Sequence, residues 1–317
     1  MKFSFDDDQL AFRDAVRDLL SKECTPETVR ATWESEQLDR GVWSSLTEMG
    51  VLGILAPEPA GGMGLDEQWL VLLLEEAGYA GLPHPIVETA AVAMPLVAER
   101  IEVGTLVTSD LGGAIVPCAG DADHLLLADG PGLVLVTGND VVLEAVDTVD
   151  RARRASRVAW EPGVASGVAG DRELAFDRGA WGTAAVLVGL GQRMLDLTVA
   201  YVSEREQFGV PIGSFQAVKH HLADAALQLA FARPAVYRAS WSLATDAPDR
   251  SRDVSMAKAM ASDAAQLAGR KALQCHGAIG YTEEADLHLF LKRSWALART
   301  WGDAAWHRDR VAQGLGV

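Results

Sequence analysis

The chain has 317 residues, and 28 Lys and Arg against 44 Asp and Glu give a formal charge of −16. That balance excludes a nucleic-acid binder and an anionic-membrane binder, because both need a basic face. With 49% apolar and 23% charged residues, the composition is that of a globular protein of roughly two domains, at about 150 residues each.

Cys24, Cys118 and Cys275 have no Cys-x-x-Cys spacing, so neither a disulfide framework nor a zinc site is expected. The acidic opening Asp6, Asp7, Asp8 lacks the basic segment and apolar core of a signal peptide, and apolar runs such as residues 70–74 are too short to span a bilayer. These features predict a cytoplasmic chain without membrane, nucleic-acid or metal partners.

Taken in order, Leu10, Phe12, Val16, Leu19 and Leu20 recur at helical spacing behind acidic caps. Trp43, Leu46 and Met49 continue that pattern to Gly50, and the Pro- and Gly-rich stretch 56–64 reads as a loop. Helices are predicted over 67–77 and, after the break at 81–85, over 86–99. Between about 104 and 170 come short β-type runs, 114–118, 125–128, 133–137 and 141–143, separated by Gly, Asp and Asn turns. The arginines of 150–154 read as a solvated strand edge. Helices return over 178–205, 215–244 with a kink or local unwinding expected at Pro234, 254–273 and 284–302. The fold class is mainly α with a small β domain: helical residues 1–103, a β unit 104–176 and a helical bundle 177–317.

No dinucleotide-binding glycine motif, P-loop or His-Glu-x-x-His is present. The densest polar signal is Arg205-Glu-Gln-Phe-Gly-Val-Pro-Ile-Gly-Ser-Phe-Gln216 between two long helices. Its cation, amides and aromatics suit a pyrophosphate and a stacked heterocycle, although an ordinary inter-helix loop fits the same residues. In Gln274-Cys-His-Gly-Ala-Ile-Gly-Tyr281 the glycines permit close approach to a ligand, or Gly277 simply caps a helix. His220 and His221 point about 100° apart on a helix and cannot share a metal. Trp295, Trp301 and Trp306 are expected to be core and interface aromatics.

Together these segments resemble the acyl-CoA dehydrogenase family, flavoenzymes with a helical N-domain, a middle β domain and a C-terminal four-helix bundle. The N-terminal resemblance lies in Trp43 through Gly53, then Pro57-Glu58, Gly61-Gly62, Gly64-Leu65 and Glu75-Glu76. In the bundle it lies in 201–216, Leu222-Ala-Asp224 and 274–281, with Ala278 where a second glycine is usual. The resemblance implies FAD shared between subunits, held at its pyrophosphate and adenosine end by Arg205, Gln207, Phe208, Phe215, Gln216, Gln274, His276, Gly277 and Ala278.

The family's flavin-ring segment is missing between Ala91 and Val116, so the β domain is truncated, and Gly302-Asp303 replaces a usual Gly-Thr. The resemblance places the catalytic carboxylate at His288 or, in some members, at Gly179; Asp286 and Glu283 are fallback candidates. It therefore implies a short, base-less subunit of a heteromeric α2β2 actinobacterial acyl-CoA dehydrogenase. Its partner would be a full-length subunit, and its substrate an acyl-CoA, of sterol-derived type. A self-sufficient homo-oligomer with a displaced base and a flavin-free scaffold are the other two readings.

Overall fold

The computed structural model describes residues 4–35, 37–113 and 115–316. Helix α1 (Asp7–Glu23) starts at a capping box in which Asp6 accepts from Gln9 N and the Gln9 side chain accepts from Asp6 N. Helices α2 (Pro26–Glu34), with proline at its first turn, α3 (Gly41–Glu48) and α4 (Glu67–Ala80) follow. The segment predicted as one helix over 86–99 is a π-helical stretch, Val87–Ala93, running into the short α5 (Met94–Val97).

Strands β1 (Val107–Asp110), β2 (His124–Asp129), β3 (Gly132–Thr137), β4 (Val141–Ala145), β5 (Ser156–Trp160) and β6 (Ser166–Val168) form the small β unit. Its four-stranded sheet has the order β1-β2-β3-β6, parallel only between β1 and β2, while β4 and β5 pair separately. Alternation divides the sheet's side chains. Leu126, Leu133 and Leu135 join the main core, whereas Leu125, Leu127, Val134 and Val136 form a second cluster with Val116 and Ala119.

Two expectations fail here. The strand over 114–118 is only a single bridge, Val116 to Ser156, and Ala114 lies outside the described residues. Pro117 has no N–H to donate, and Cys118 takes φ 51°, so pairing cannot propagate. The arginines of 150–154 are no strand edge: residues 151–153 form a 3₁₀ turn. Asp150, 1% exposed, binds Arg293 at 3.0 Å, and Arg154 binds Asp121 at 2.6 Å.

The bundle comprises α6 (Arg172–Glu204), α7 (Gln216–Ala244), α8 (Arg250–His276), α9 (Leu287–Leu297) and α10 (Ala304–Leu315). Helix α6 begins six residues before the predicted start, at an Asp171 cap, and α7 continues through Pro234. The helix expected over 284–302 stops at 297, and a further helix follows. Helices α4 and α6 cross at bare backbone: a Cβ on Gly78 would lie 2.1 Å from Val186 O, and one on Gly189 2.0 Å from Glu75 O. Fully buried Asp177 ties three helices together, accepting from Arg310 on α10 at 2.6 Å and from Ser251 on α8 at 2.8 Å.

Candidate functional site

Arg205 caps α6, donating its N–H to Tyr201 O at 2.9 Å. The chain then makes a tight hairpin between β7 (Glu206–Gln207) and β8 (Val210–Pro211). Both turn residues, Phe208 at φ 56° and Gly209 at φ 77°, are left-handed, as such a two-residue turn requires. Phe208 is 94% exposed and touches Phe215 edge-on at 6.2 Å. The Arg205 side chain is exposed and forms no ion pair among the described residues.

Helix α8 ends beside this hairpin. Gly277 takes φ 64°, ψ −138°, with nothing within 4 Å of a built Cβ, so its backbone is open to close approach. The two segments meet through Tyr201, which stacks on His276 at 4.4 Å and donates to His276 O at 3.5 Å. The His276 ring is buried, and its Nδ1–H bonds Ala272 O at 2.9 Å; burial pushes its pKa down, so it supports the loop as a neutral ring. Gln274, Gly277 and Ala278 are exposed, as are Gln207, Phe215 and Gln216. The predicted residues thus lie on two exposed segments linked through Tyr201 and the buried His276.

A separate cavity of about 1290 Å³ lies between the end of β1, the start of α6 and the α9–α10 turn. Phe176, Trp295, Trp301 and Trp306 wall it; Trp301 also belongs to the main core, as expected, while Trp295 and Trp306 are exposed. Trp301 at φ 58° and Gly302 at φ 87° make the turn that separates α9 from α10. Buried Lys258 holds this turn, donating to Ala298 O at 3.1 Å and Gly302 O at 2.9 Å, and burial pushes its pKa down to about 7. His307 Nε2–H donates to Trp301 O at 2.8 Å, and Ser255 lies 3.1 Å from Nδ1. Burial and the Lys258 ammonium lower the His307 pKa to about 3.

The expected carboxylate positions do not converge. Gly179 packs under Trp301, where a Cβ would sit 2.5 Å from the indole. His288 is buried edge-on against Trp33 at 5.1 Å, with neither ring nitrogen bonded, and does not line the cavity. Desolvation lowers its pKa. Asp286 pairs with Arg30 at 2.6 Å and Glu283 with Lys292 at 3.1 Å, both away from the cavity. The residue facing Gly179 is therefore Trp301, which sequence reasoning set aside. The Gly302 break followed by the helix cap Asp303 is the signal that marks it.

The cavity's two carboxylates are both engaged. Asp110 accepts from Gly112 N at 3.0 Å and Gly113 N at 2.6 Å, while Glu173 accepts from Arg310 at 2.9 Å and Ser251 at 3.3 Å. Beside Trp301, the buried Glu88 carboxyl is pushed up by desolvation, against the pull of Arg153 and Arg293.

Comparison with known proteins bears on both regions. The profile of the Acyl-CoA dehydrogenase, N-terminal domain, matches residues 6–102, and that of the Acyl-CoA dehydrogenase, C-terminal domain, matches 169–316. Acyl-CoA dehydrogenase IpdE2 of Mycolicibacterium smegmatis is 35% identical over 306 residues, covering 92% of this chain and 93% of the relative. The probable acyl-CoA dehydrogenase YngJ of Bacillus subtilis is 26% identical over 357 positions, covering 92% of this chain and 93% of the relative. A match of 357 positions on a 317-residue chain means that YngJ has at least 40 residues without a counterpart here. Among solved structures, the Tcur3481-Tcur3483 steroid ACAD superposes with a TM-score of 0.84 at 25% identity, covering 98% of this chain and 99% of that one. The ChsE4-ChsE5 complex from Mycobacterium tuberculosis superposes with a TM-score of 0.86 at 22% identity, covering 100% and 99%. Two domain profiles and a relative matched over nearly its whole length show that this chain belongs to the acyl-CoA dehydrogenase family.

Proposed function

We propose that this chain is the base-less subunit of a heteromeric acyl-CoA dehydrogenase, inactive alone, whose longer partner supplies the flavin-ring pocket and the catalytic carboxylate. One observation carries the reading: where a base would stand, Trp301 fills the space against Gly179, and both carboxylates lining the cavity are engaged. The division at about 103 and 176 into helical, β and bundle units belongs to the same reading, as do a cytoplasmic setting and an α2β2 assembly. The printed names of the steroid ACAD and of the ChsE4-ChsE5 complex support a sterol-derived thioester and a two-component enzyme.

The residues present fit the pyrophosphate and adenosine end of FAD. Arg205 offers an exposed guanidinium without an ion-pair partner among the described residues, Gln207, Gln216 and Gln274 offer amides, and the Gly277 backbone is unobstructed. Phe208 and Phe215 present exposed rings for stacking. Bound FAD supplies the acceptor for the two electrons of α,β-dehydrogenation. This chain's part is to bind and orient; the α-proton leaves to a carboxylate of the partner.

Purifying the chain alone and with a co-expressed full-length relative, then recording flavin absorbance, tests this. Flavin is expected only in the mixed complex, and Arg205→Ala should lower its retention there about tenfold. Stoichiometric flavin in the chain alone would sink the proposal.

A further inference from the structure

A small void lies where the N-terminal helices meet the bundle, walled in part by His84 from the 81–86 break, Glu88 from the π-helical stretch, Thr183 from α6 and Arg293 from α9. Three of these polar side chains are buried, at 3% exposure for His84, 6% for Glu88 and 8% for Arg293. Two of them carry an atom with no hydrogen-bond partner among the described residues, His84 Nδ1 and Arg293 Nε. The remaining atoms of both side chains fix what the unpartnered ones can do. His84 Nε2 lies 2.6 Å from Asp39 O, a carbonyl that can only accept, so the ring proton sits on Nε2. Burial pushes the His84 pKa down, which keeps the ring neutral and leaves Nδ1 as a bare acceptor. Arg293 Nη1 donates to Asp150 at 3.0 Å, and its Nε–H is a spare donor. Burial pushes the Glu88 pKa up, but protonated or not, the carboxyl keeps an acceptor oxygen.

We propose that this void is a binding site for one water, which accepts from Arg293 Nε–H and donates its two hydrogens to His84 Nδ1 and the Glu88 carboxyl. The void of about 20 Å³ exceeds the roughly 10–15 Å³ that a single water requires, and about three polar partners is the usual number for a buried water. The chemistry selects water over other occupants. A metal or ammonium cation has no lone pair for the Arg293 N–H and would face a guanidinium. A halide has no hydrogen for His84 Nδ1 or for Glu88. A dry void would strand a buried donor and a buried acceptor, and each such group costs free energy when its bond is unmade. The position gives the water a task. Residues 87–93 are π-helical, a departure from the α-helix that is frequent at functional sites, and α9 leads through Ala298 into the turn that carries Trp301. The water is a positioning contact: it fixes α9 against residues 84–88 and, through α9, sets the Trp301 indole over Gly179.

A crystal structure of the full chain, at a resolution that orders single waters, tests the proposal. One solvent peak is expected within hydrogen-bond distance, about 2.7–3.2 Å, of His84 Nδ1, Arg293 Nε and a Glu88 oxygen. An empty void, or a direct bond between His84 and Arg293, would overturn it. Two variants probe the third contact. Glu88→Gln keeps an acceptor oxygen and is expected to retain the peak and hold the urea midpoint. Glu88→Met has similar size but cannot bond the water, so it should lose the peak and lower the midpoint. A peak unchanged in Glu88→Met would overturn the three-point site. So would a midpoint raised by Glu88→Met, because removing a carboxyl that is buried dry relieves a cost instead of adding one. If Glu88→Met fails to fold, the parent and Glu88→Gln structures still decide between a hydrated and an empty void.

Discussion

Trp301 decides what position 179 can hold. Its left-handed backbone sets its indole against Gly179, where no room is left for a carboxylate side chain. Gly179→Ala places a Cβ within 2.5 Å of the indole, and overpacking of this kind costs about 1–3 kcal/mol. Urea unfolding should register that loss, and an unchanged midpoint would show that the ring has space to move. The same crowding means that Gly179→Glu cannot install a base while Trp301 remains. At this scale the sequence was partly legible. Arg205, Gln207 and Gln274 stand out in the sequence as a cation and amides beside glycines, and all three side chains are exposed. Trp301 lies in the core, as a tryptophan in a helical run suggests, but its positive φ and its packing on Gly179 come from a tertiary turn that periodicity does not report.

The turn between α9 and α10 is held from below by two residues on different helices. Lys258 binds two of its carbonyls, and His307 binds a third. His307 is neutral in the fold because its pKa falls to about 3, whereas an unfolded histidine titrates near 6.5. The unfolded chain therefore takes up a proton that the native chain refuses, so this contribution is complete above about pH 6.5 and is lost as pH falls toward about 3. His307→Gln should flatten the decline of the urea midpoint between pH 6.5 and 4.5 relative to the parent chain. An identical decline in both would mean that His307 accepts a proton without unfolding. The elements themselves were readable where periodicity runs long, as in α4, α6, α7 and α8. They were not readable where tertiary bonds set the boundary. Asp150 and Asp121 pin the arginine turn, Asp110 folds the 110–115 loop by collecting backbone N–H groups, and the Lys258 and His307 contacts divide one apparent helix into two.

The whole molecule opposes its own cavity electrostatically. A surface of −16 repels any anionic ligand, yet the cavity lining has four arginines to two carboxylates. Distance and salt decide which is felt. A chain of this length has a radius of gyration of about 20 Å, so in water the whole surface contributes about 3 kcal/mol of repulsion before screening. Two uncompensated cations about 6 Å away contribute about 1.4 kcal/mol of attraction. At 0.01 M salt, with a Debye length of about 30 Å, repulsion stays ahead, roughly 1.7 against 1.1 kcal/mol. At 0.15 M, with a Debye length of about 8 Å, the order reverses to roughly 0.3 against 0.7 kcal/mol, because only the nearby arginines are still felt.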